Sequence, residues 1–295
     1  MSWLIKVPAT TANIGAGFDS IGVALQLYLS LKVDQADKWE FVPCSDGMED
    51  LPLDEENLIY KIALQTANKF GHAHLPTSRV EMTSNIPLAR GLGSSGTAIV
   101  GGIELANCLL QLNLSMEDKL ELATAIEGHP DNVAPSLLGG CVIGHYDKNL
   151  DWINVPIHDL VFLAIIPSFQ LKTKEARAVL PEEFAYKESV QASSVANVSV
   201  AAICQGNWRL LGKMMEKDHF HQPYRKKLIP HYDQLVNLLK EDVYGTFLSG
   251  AGPTMIALTT KEVIDRKLIE WQASMPELNW LPLAVENKGV LTIQQ

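Results

Sequence analysis

Ile86–Gly96 reads IPLARGLGSSG and lies between a strand-like run, Arg79–Thr83, and a helix-like run that extends to Leu112. Its glycines let the main chain approach a ligand with no Cβ in the way, and its two serines open a helix whose first N–H groups have no intrahelical partner. Amides so placed, at the positive end of the helix dipole, form an anion cradle. The stretch therefore implies a phosphate-bearing ligand, a nucleotide.

Gly91, Gly93 and Gly96 also satisfy the GxGxxG spacing of a dinucleotide-binding turn. Such a turn follows directly on a buried parallel strand, whereas Pro87 here cannot give a ladder hydrogen bond. An acid about 20 positions on is needed for the ribose. Asp118, the nearest, is better explained as closing a capping box with Ser115. No GxxxxGK[ST] occurs, and no kinase-type catalytic loop or DFG triplet accompanies the glycines. A plain strand-to-helix turn remains the bland alternative.

Outward from the loop, Val23–Val33 alternates apolar and polar residues with period two and predicts a half-buried antiparallel strand. Trp3–Val7 and Trp39–Val42 read as further strands, and Asn57–Phe70 as a helix stopped by Gly71. Gly101 and Gly102 inside the helix after the loop each cost about 1 kcal/mol relative to alanine, which implies that another backbone packs against it. Ser115–Ile126 is a capped helix. At Asn149–Val155 the pattern turns polar and loses periodicity, and the buried run Leu160–Ile166 opens a new unit, so the expected division is residues 1–155 and 156–295. The second unit reads as a strand, helices over Glu188–Glu241, strands at Val243–Leu248 and Thr254–Thr259, a helix over Glu262–Ala273 and closing strands. That order suits an α+β split βαβ sandwich with inserted helices.

With 295 residues, 47% of them hydrophobic, the chain suffices for two ordinary domains with real cores. A formal net charge of −10, from 24 basic and 34 acidic residues with no basic block, speaks against nucleic acid as a partner. Met1–Pro8 has no apolar signal core, and no apolar run reaches the ~18 residues of a spanning helix, so no membrane partner and a cytoplasmic location are expected. Cys44, Cys108, Cys141 and Cys204 make neither CxxC nor a zinc spacing and read as reduced thiols. The His72/His74 and His219/His221 pairs are assigned no metal. Monomer or homodimer stays open.

Polar patches recur in turns between apolar elements. Pro8–Gly22, PATTANIGAGFDSIG, places Asn13 and Asp19 in a glycine-punctuated loop. Glu127–Pro135, EGHPDNVAP, follows a helix, and Phe247–Thr254, FLSGAGPT, is a small-residue turn between strands. Together with the glycine loop and TKEAR at Thr173–Arg177, they carry a resemblance. The chain resembles the homoserine kinases of the GHMP small-molecule kinase superfamily over nearly its whole length, with the five motifs in that family's order. The resemblance implies an N-terminal domain similar to ribosomal protein S5 domain 2 and a C-terminal ferredoxin-like domain with the active site between them. It implies ATP as donor, Mg2+ as cofactor and L-homoserine as acceptor. Another GHMP kinase, or a non-catalytic nucleotide-binding sensor on the same fold, are the competing readings, and an NAD-linked oxidoreductase is a third class.

Magnesium takes hard oxygen ligands and few from protein, so Ser95, by family analogy, and the carboxylate of Glu127 are the expected pair. The nucleotide is expected on Asn57 and along Pro87, Leu88, Ala89, Arg90, Gly91, Leu92, Gly93, Ser94, Ser95 and Gly96, although Asn57 is equally explained as an N-cap. An amino-acid acceptor brings an ammonium and a carboxylate, which Asp19 on one side and Arg177 and Arg225 on the other can meet. The resemblance adds His129, Asp131, Thr173 and Gly250 to the acceptor site, and Asn13 to orient the reacting hydroxyl. It implies no dedicated base at Asp131: Asn132 positions the alcohol, Arg177 meets developing charge, and alignment carries the reaction.

Overall fold

The alternation at Val23–Val33 becomes the middle of a 19-residue strand, against which the rest of the first half is built. A computed structural model of the chain describes residues 2–295. The first half comprises β1 (Ser2–Asn13), β2 (Gly17–Gln35), β3 (Glu40–Pro43), α1 (Leu58–Lys69), β4 (Ser78–Ser84), α2 (Ser94–Leu110), α3 (Met116–Glu127), α4 (Val133–Leu138), β5 (Cys141–Tyr146) and β6 (Leu150–Val155). The second comprises β7 (Val161–Ile166), α5 (Thr173–Ala178), α6 (Tyr186–Cys204), α7 (Trp208–Met215), α8 (Gln222–Arg225), α9 (Tyr232–Leu239), β8 (Gly245–Leu248), β9 (Met255–Thr259), α10 (Lys261–Ser274), β10 (Asn279–Leu283) and β11 (Leu291–Gln294).

Seven strands form the first sheet in the order β11-β1-β2-β4-β3, with β5 paired to β2 and β6 to β5. Four form the second, β10-β7-β9-β8, antiparallel throughout. Helices α5–α9 lie between β7 and β8, and α10 between β9 and β10, which is a split βαβ unit with an enlarged first crossover. Alternation along the second sheet sends its side chains two ways. Phe162, Ala164 and Ile166 join the cluster of Ile5, Leu25 and Leu31, whereas Leu163 and Ile165 pack with Leu235, Leu239 and Trp271. The two halves thus share one continuous core.

Local signals act where their chemistry predicts. Asn57 caps α1 by accepting from the Ile59 N–H at 3.0 Å, and Ser115 and Asp118 close a reciprocal capping box on α3. Of the two glycines in α2, Gly102 meets another backbone, since a Cβ on it would lie 2.7 Å from the Ile59 carbonyl oxygen of α1, whereas Gly101 faces only the side chains of Leu31, Leu29 and Val7.

Three expectations need correction. The polar stretch 149–155, aperiodic in sequence, is itself a strand, β6, an edge strand paired along its length with β5, and its lack of alternation reflects exposure of both faces. The second half does not keep to itself either, because β11 returns to pair with β1 and Val285 bridges Leu25. The residues before Asn13 are strand and not loop, since β1 runs on through Pro8 by a register shift that absorbs the proline, leaving only 14–16 as the turn.

Gly102→Val should destabilise the fold by about 1–3 kcal/mol through overpacking against α1, read as a lower midpoint in chemical denaturation. An unchanged midpoint would mean that the two helices can separate freely.

Candidate active site

Helix α2 begins at Ser94 with Gly93 as its N-cap in the left-handed region (φ 70°), and no side chain caps it. The amides of Ser94, Ser95 and Gly96 are therefore left to the cavity beside them. Gly93 is required here, because a Cβ on it would lie 2.1 Å from Thr10 Oγ1. Gly91 (φ 79°) is held as closely: a Cβ there would be 2.3 Å from the Ser249 carbonyl oxygen.

Hydrogen bonds tie the polar patches together around this loop. Ser249 Oγ donates to the Gly91 carbonyl at 2.5 Å and shares a 2.7 Å hydrogen bond with the Thr11 hydroxyl. Thr10 Oγ1 donates to the Asn132 carbonyl at 3.1 Å, and Asn13 Nδ2 to the Gly250 carbonyl at 3.0 Å. Segments separated by more than 100 residues thus converge on one point.

A cavity of about 620 Å³ opens over the helix terminus. Asn13, Asn57, Leu88, Ala89, Gly91, Gly93, Ser94, Ser95, Gly96, Glu127, His129, Asp131, Asn132, Thr173, Arg177, Arg225 and Gly250 all line it. Asp19 faces an adjoining recess with Ser95, Glu127, His129, Thr173 and Arg177. Pro87, Arg90 and Leu92 do not line either space. Arg90 turns away to donate to the carbonyls of Pro167 and Ser168, at 3.0 and 2.7 Å, and Leu92 is buried in the core. Asn57 lines the cavity with its amide already engaged, Oδ1 by Ile59 and Nδ2 on the Pro52 carbonyl at 2.8 Å.

The charged groups arrange themselves in two sets. Asp19, expected to face an ammonium, and Arg177, expected to face a carboxylate, instead pair with each other through two hydrogen bonds of 2.9 and 3.1 Å. Arg225 is buried, donating from Nε to Ala176 and from Nη1 to Gly250, at 3.1 and 3.0 Å. Burial, with the nearby charge of Arg177 added, lowers its pKa to about 10. The second set is His129 Nδ1 and Asp131 Oδ1, 2.5 Å apart, with Asn132 Nδ2 at 3.4 Å from the same oxygen. Burial pushes the Asp131 carboxyl up. Burial also works against the imidazolium of His129, but the hydrogen bond and charge of Asp131 outweigh it and raise that pKa as well. Both directions favour keeping a proton between the two.

Glu127 stands apart from both sets. Desolvation raises its pKa, and neither its carboxylate nor Ser95 Oγ has a hydrogen-bond partner among the described residues. A hard anionic oxygen and a hydroxyl, both unengaged and lining the same recess, match the donor set that magnesium takes. Oxygens of Asp19 and Asp131 and a His129 nitrogen also lie within 4.8 Å of one another, but these groups are already committed to partners.

Three features escaped the sequence reading. Met48, Leu51, Pro52 and Met82 give the cavity an apolar wall, and the first three sit in an acid-rich stretch that looks like solvent-facing loop. Phe18 lies inside a quoted motif, yet nothing in the sequence showed that both Arg177 and Arg225 would face its ring, at 5.5 and 5.2 Å. His221, one of the pair assigned no metal and no other role, is fully buried.

The fold defines a two-domain α+β protein with an uncapped helix N-terminus opening into its main cavity. The family description "GHMP kinases N terminal domain" matches residues 57–140, and "GHMP kinases C terminal" matches residues 199–277. A Bacillus anthracis protein named homoserine kinase is 48% identical, covering 97% of this chain and 95% of its own. One of the same name from Bacillus cereus is 44% identical with the same coverage. The crystal structure of homoserine kinase from Cytophaga hutchinsonii superposes with a TM-score of 0.85 at 29% identity, over 99% of this chain and 97% of that one. The chain belongs to the GHMP kinase family, among its homoserine kinases. No helix among the described residues is long and apolar enough to cross a membrane.

His221 supports the turn that carries Asp19. Its Nε2 lies 2.9 Å from the Gly15 carbonyl, and its ring stacks on Phe18 at 5.4 Å. Burial lowers its pKa to about 4, against the opposing Asp218 carboxylate 3.4 Å from Nε2 and with the charge of Arg225 adding to the fall. Because the ordinary value is about 6.5, the unfolded chain holds a proton in the interval between that value and about 4 that the folded chain refuses. Stability is therefore full above the upper limit and falls as the pH drops through the interval. His221→Gln should flatten that fall in denaturation measured across the interval; an unchanged slope contradicts the assignment.

Proposed function

We propose that the chain transfers the γ-phosphoryl group of ATP to the side-chain hydroxyl of L-homoserine, giving O-phospho-L-homoserine. The observation that carries this reading is the uncapped N-terminus of α2, which opens into a cavity that Arg225 lines and beside a recess that holds the Asp19–Arg177 pair and the Glu127 carboxylate. The amides of Ser94, Ser95 and Gly96 bind and orient the triphosphate, and the wall of Met48, Leu51 and Met82 shelters the base. Ser95 Oγ and Glu127 would hold a magnesium ion, whose charge would offset that of the phosphates.

At the acceptor end Asp19 takes the ammonium, and Arg177 and Arg225 take the carboxylate. Thr173, Gly250 and Asn13 close the recess around the carbon chain. Asn132 and His129 position the alcohol. Asp131 has its carboxylate committed to His129 and Asn132, which leaves it poorly placed as a base. A loose phosphoryl-transfer transition state asks for little early proton removal, and orientation supplies ~7–11 kcal/mol of the barrier reduction. Arg177 then also faces charge that develops on the transferring group. We place the domain division at 155/156 with the tail from Val285 returning to the first half, and the site of action in the cytoplasm, where ATP is available.

Phosphate transfer from magnesium ATP to homoserine, mevalonate, galactose and shikimate tests the reading. Homoserine should lead by roughly 10²-fold or more in kcat/KM; preference for another acceptor, or tight ATP binding without turnover, overturns it. Within that assay Arg225→Ala should raise KM for homoserine well above its effect on ATP. Ser95→Ala and Glu127→Ala should lower kcat about 10²-fold and change the magnesium dependence. Equal effects of Arg225→Ala on both substrates would remove it from the acceptor pocket.

A further inference from the structure

Asp19 and Arg177 come from different halves of the molecule, one at the start of β2 and the other on the short helix α5. Both oxygens of Asp19 are used, Oδ1 by Nη2 and Oδ2 by Nη1 of Arg177. The contact is a planar, bidentate one, the geometry that makes such pairs specific. It is also half open to solvent, with side chains 34% and 40% exposed, so screening keeps it weak enough to break.

The backbone under the pair is fixed. Asp19 stands in the left-handed region (φ 54°) with its N–H on Asn13 Oδ1 at 3.1 Å, and Asn13 in turn holds Gly250. The guanidinium of Arg177 lies over the same Phe18 ring as that of Arg225. Two guanidinium groups and one carboxylate therefore share this corner.

We infer that the Asp19–Arg177 pair is an internal stand-in for the two charges of the acceptor, and that acceptor binding exchanges this one ion pair for two. The inference rests on the proposed function. The ammonium replaces Arg177 at Asp19 while the carboxylate replaces Asp19 at Arg177, with Arg225 beside it. A zwitterion leaves no charge without a partner. A ligand with only one of the charges must break the pair and leave the other member unpaired, so it forfeits the pair's energy for a single contact in return. The pair therefore discriminates against singly charged alcohols as well as favouring amino acids, a specificity device that acts by penalising the wrong ligand. Among GHMP folds this would suit an acceptor that carries its two charges on one carbon.

The exchange has a consequence that needs no variant. Butyrate, which carries only the carboxylate, frees Asp19 when it takes Arg177, and propylamine, which carries only the ammonium, does the reverse. Each should therefore help the other to bind. In competition with homoserine, the two added together should lower each other's inhibition constants by roughly fivefold or more. Independent or mutually exclusive binding overturns the inference. Two variants give the complementary readout. Asp19→Asn should bind butyrate about tenfold more tightly than the unaltered chain, and Arg177→Gln should bind propylamine more tightly by a similar factor. These gains should shrink in 0.5 M sodium chloride, where the screening length is well below ~8 Å and the half-exposed pair of the unaltered chain is itself weaker. A variant that merely misfolds gains nothing, so loss of affinity for both analogues together with absent synergy in the unaltered chain overturns the exchange. If the unaltered chain does not phosphorylate homoserine at all, the functional reading fails and takes this one with it. Phosphorylation of homoserine without synergy between the two analogues removes this inference alone.

Discussion

The wedging of the glycine loop between β1 and the turn after β8 is the constraint on which the rest of the site depends. Gly93 lies against Thr10 and Gly91 against Ser249, each at a distance that excludes a Cβ, and the Ser249 hydroxyl locks the arrangement by donating to Gly91. Thr10 belongs to the first sheet and Ser249 to the end of a strand of the second. The helix terminus that can hold phosphate is thus oriented by both halves at once. Movement of one half against the other would displace the cradle and the acceptor recess together.

Charge is distributed on the same plan. The cradle offers fixed backbone dipoles, and the charges of Asp19, Arg177 and Arg225 gather around Phe18. Between them lie Glu127 and the His129–Asp131 pair, where desolvation pushes both carboxyls up. Burial costs a charged group unless a partner meets it. Arg225 has carbonyls, Asp131 has a histidine, and Asp19 has Arg177, whereas Glu127 has no partner among the described residues. Its unmet carboxylate is the feature that most directly asks for a cation.

Much of this was legible in the sequence, because it follows from local chemistry. The period-two run fixed β2, the Ser115/Asp118 spacing fixed a capped helix, and glycines in α2 signalled the close approach of α1. The uncapped amides of Ser94, Ser95 and Gly96 follow from Gly93 being unable to cap with a side chain. What stayed hidden depends on contacts across the chain. Whether Arg177 meets a ligand or Asp19 is decided by two elements 158 residues apart. The return of β11 to the first sheet leaves no periodic trace in four residues, and β6 carries no alternation because both its faces are exposed. His221 looked like a surface residue because its burial comes from packing under Phe18 and the Gly15 turn. The substrate lay beyond composition and periodicity altogether, and entered only through the resemblance of five ordered motifs.

A crystal structure with a non-hydrolysable ATP analogue and magnesium tests the central claim most directly. The account predicts phosphate oxygens within hydrogen-bonding distance, ~2.7–3.2 Å, of the Ser94, Ser95 and Gly96 amides. It also predicts a metal bonded to Ser95 Oγ and Glu127. Phosphates seated elsewhere in the cavity, with those three amides left to water, would contradict it.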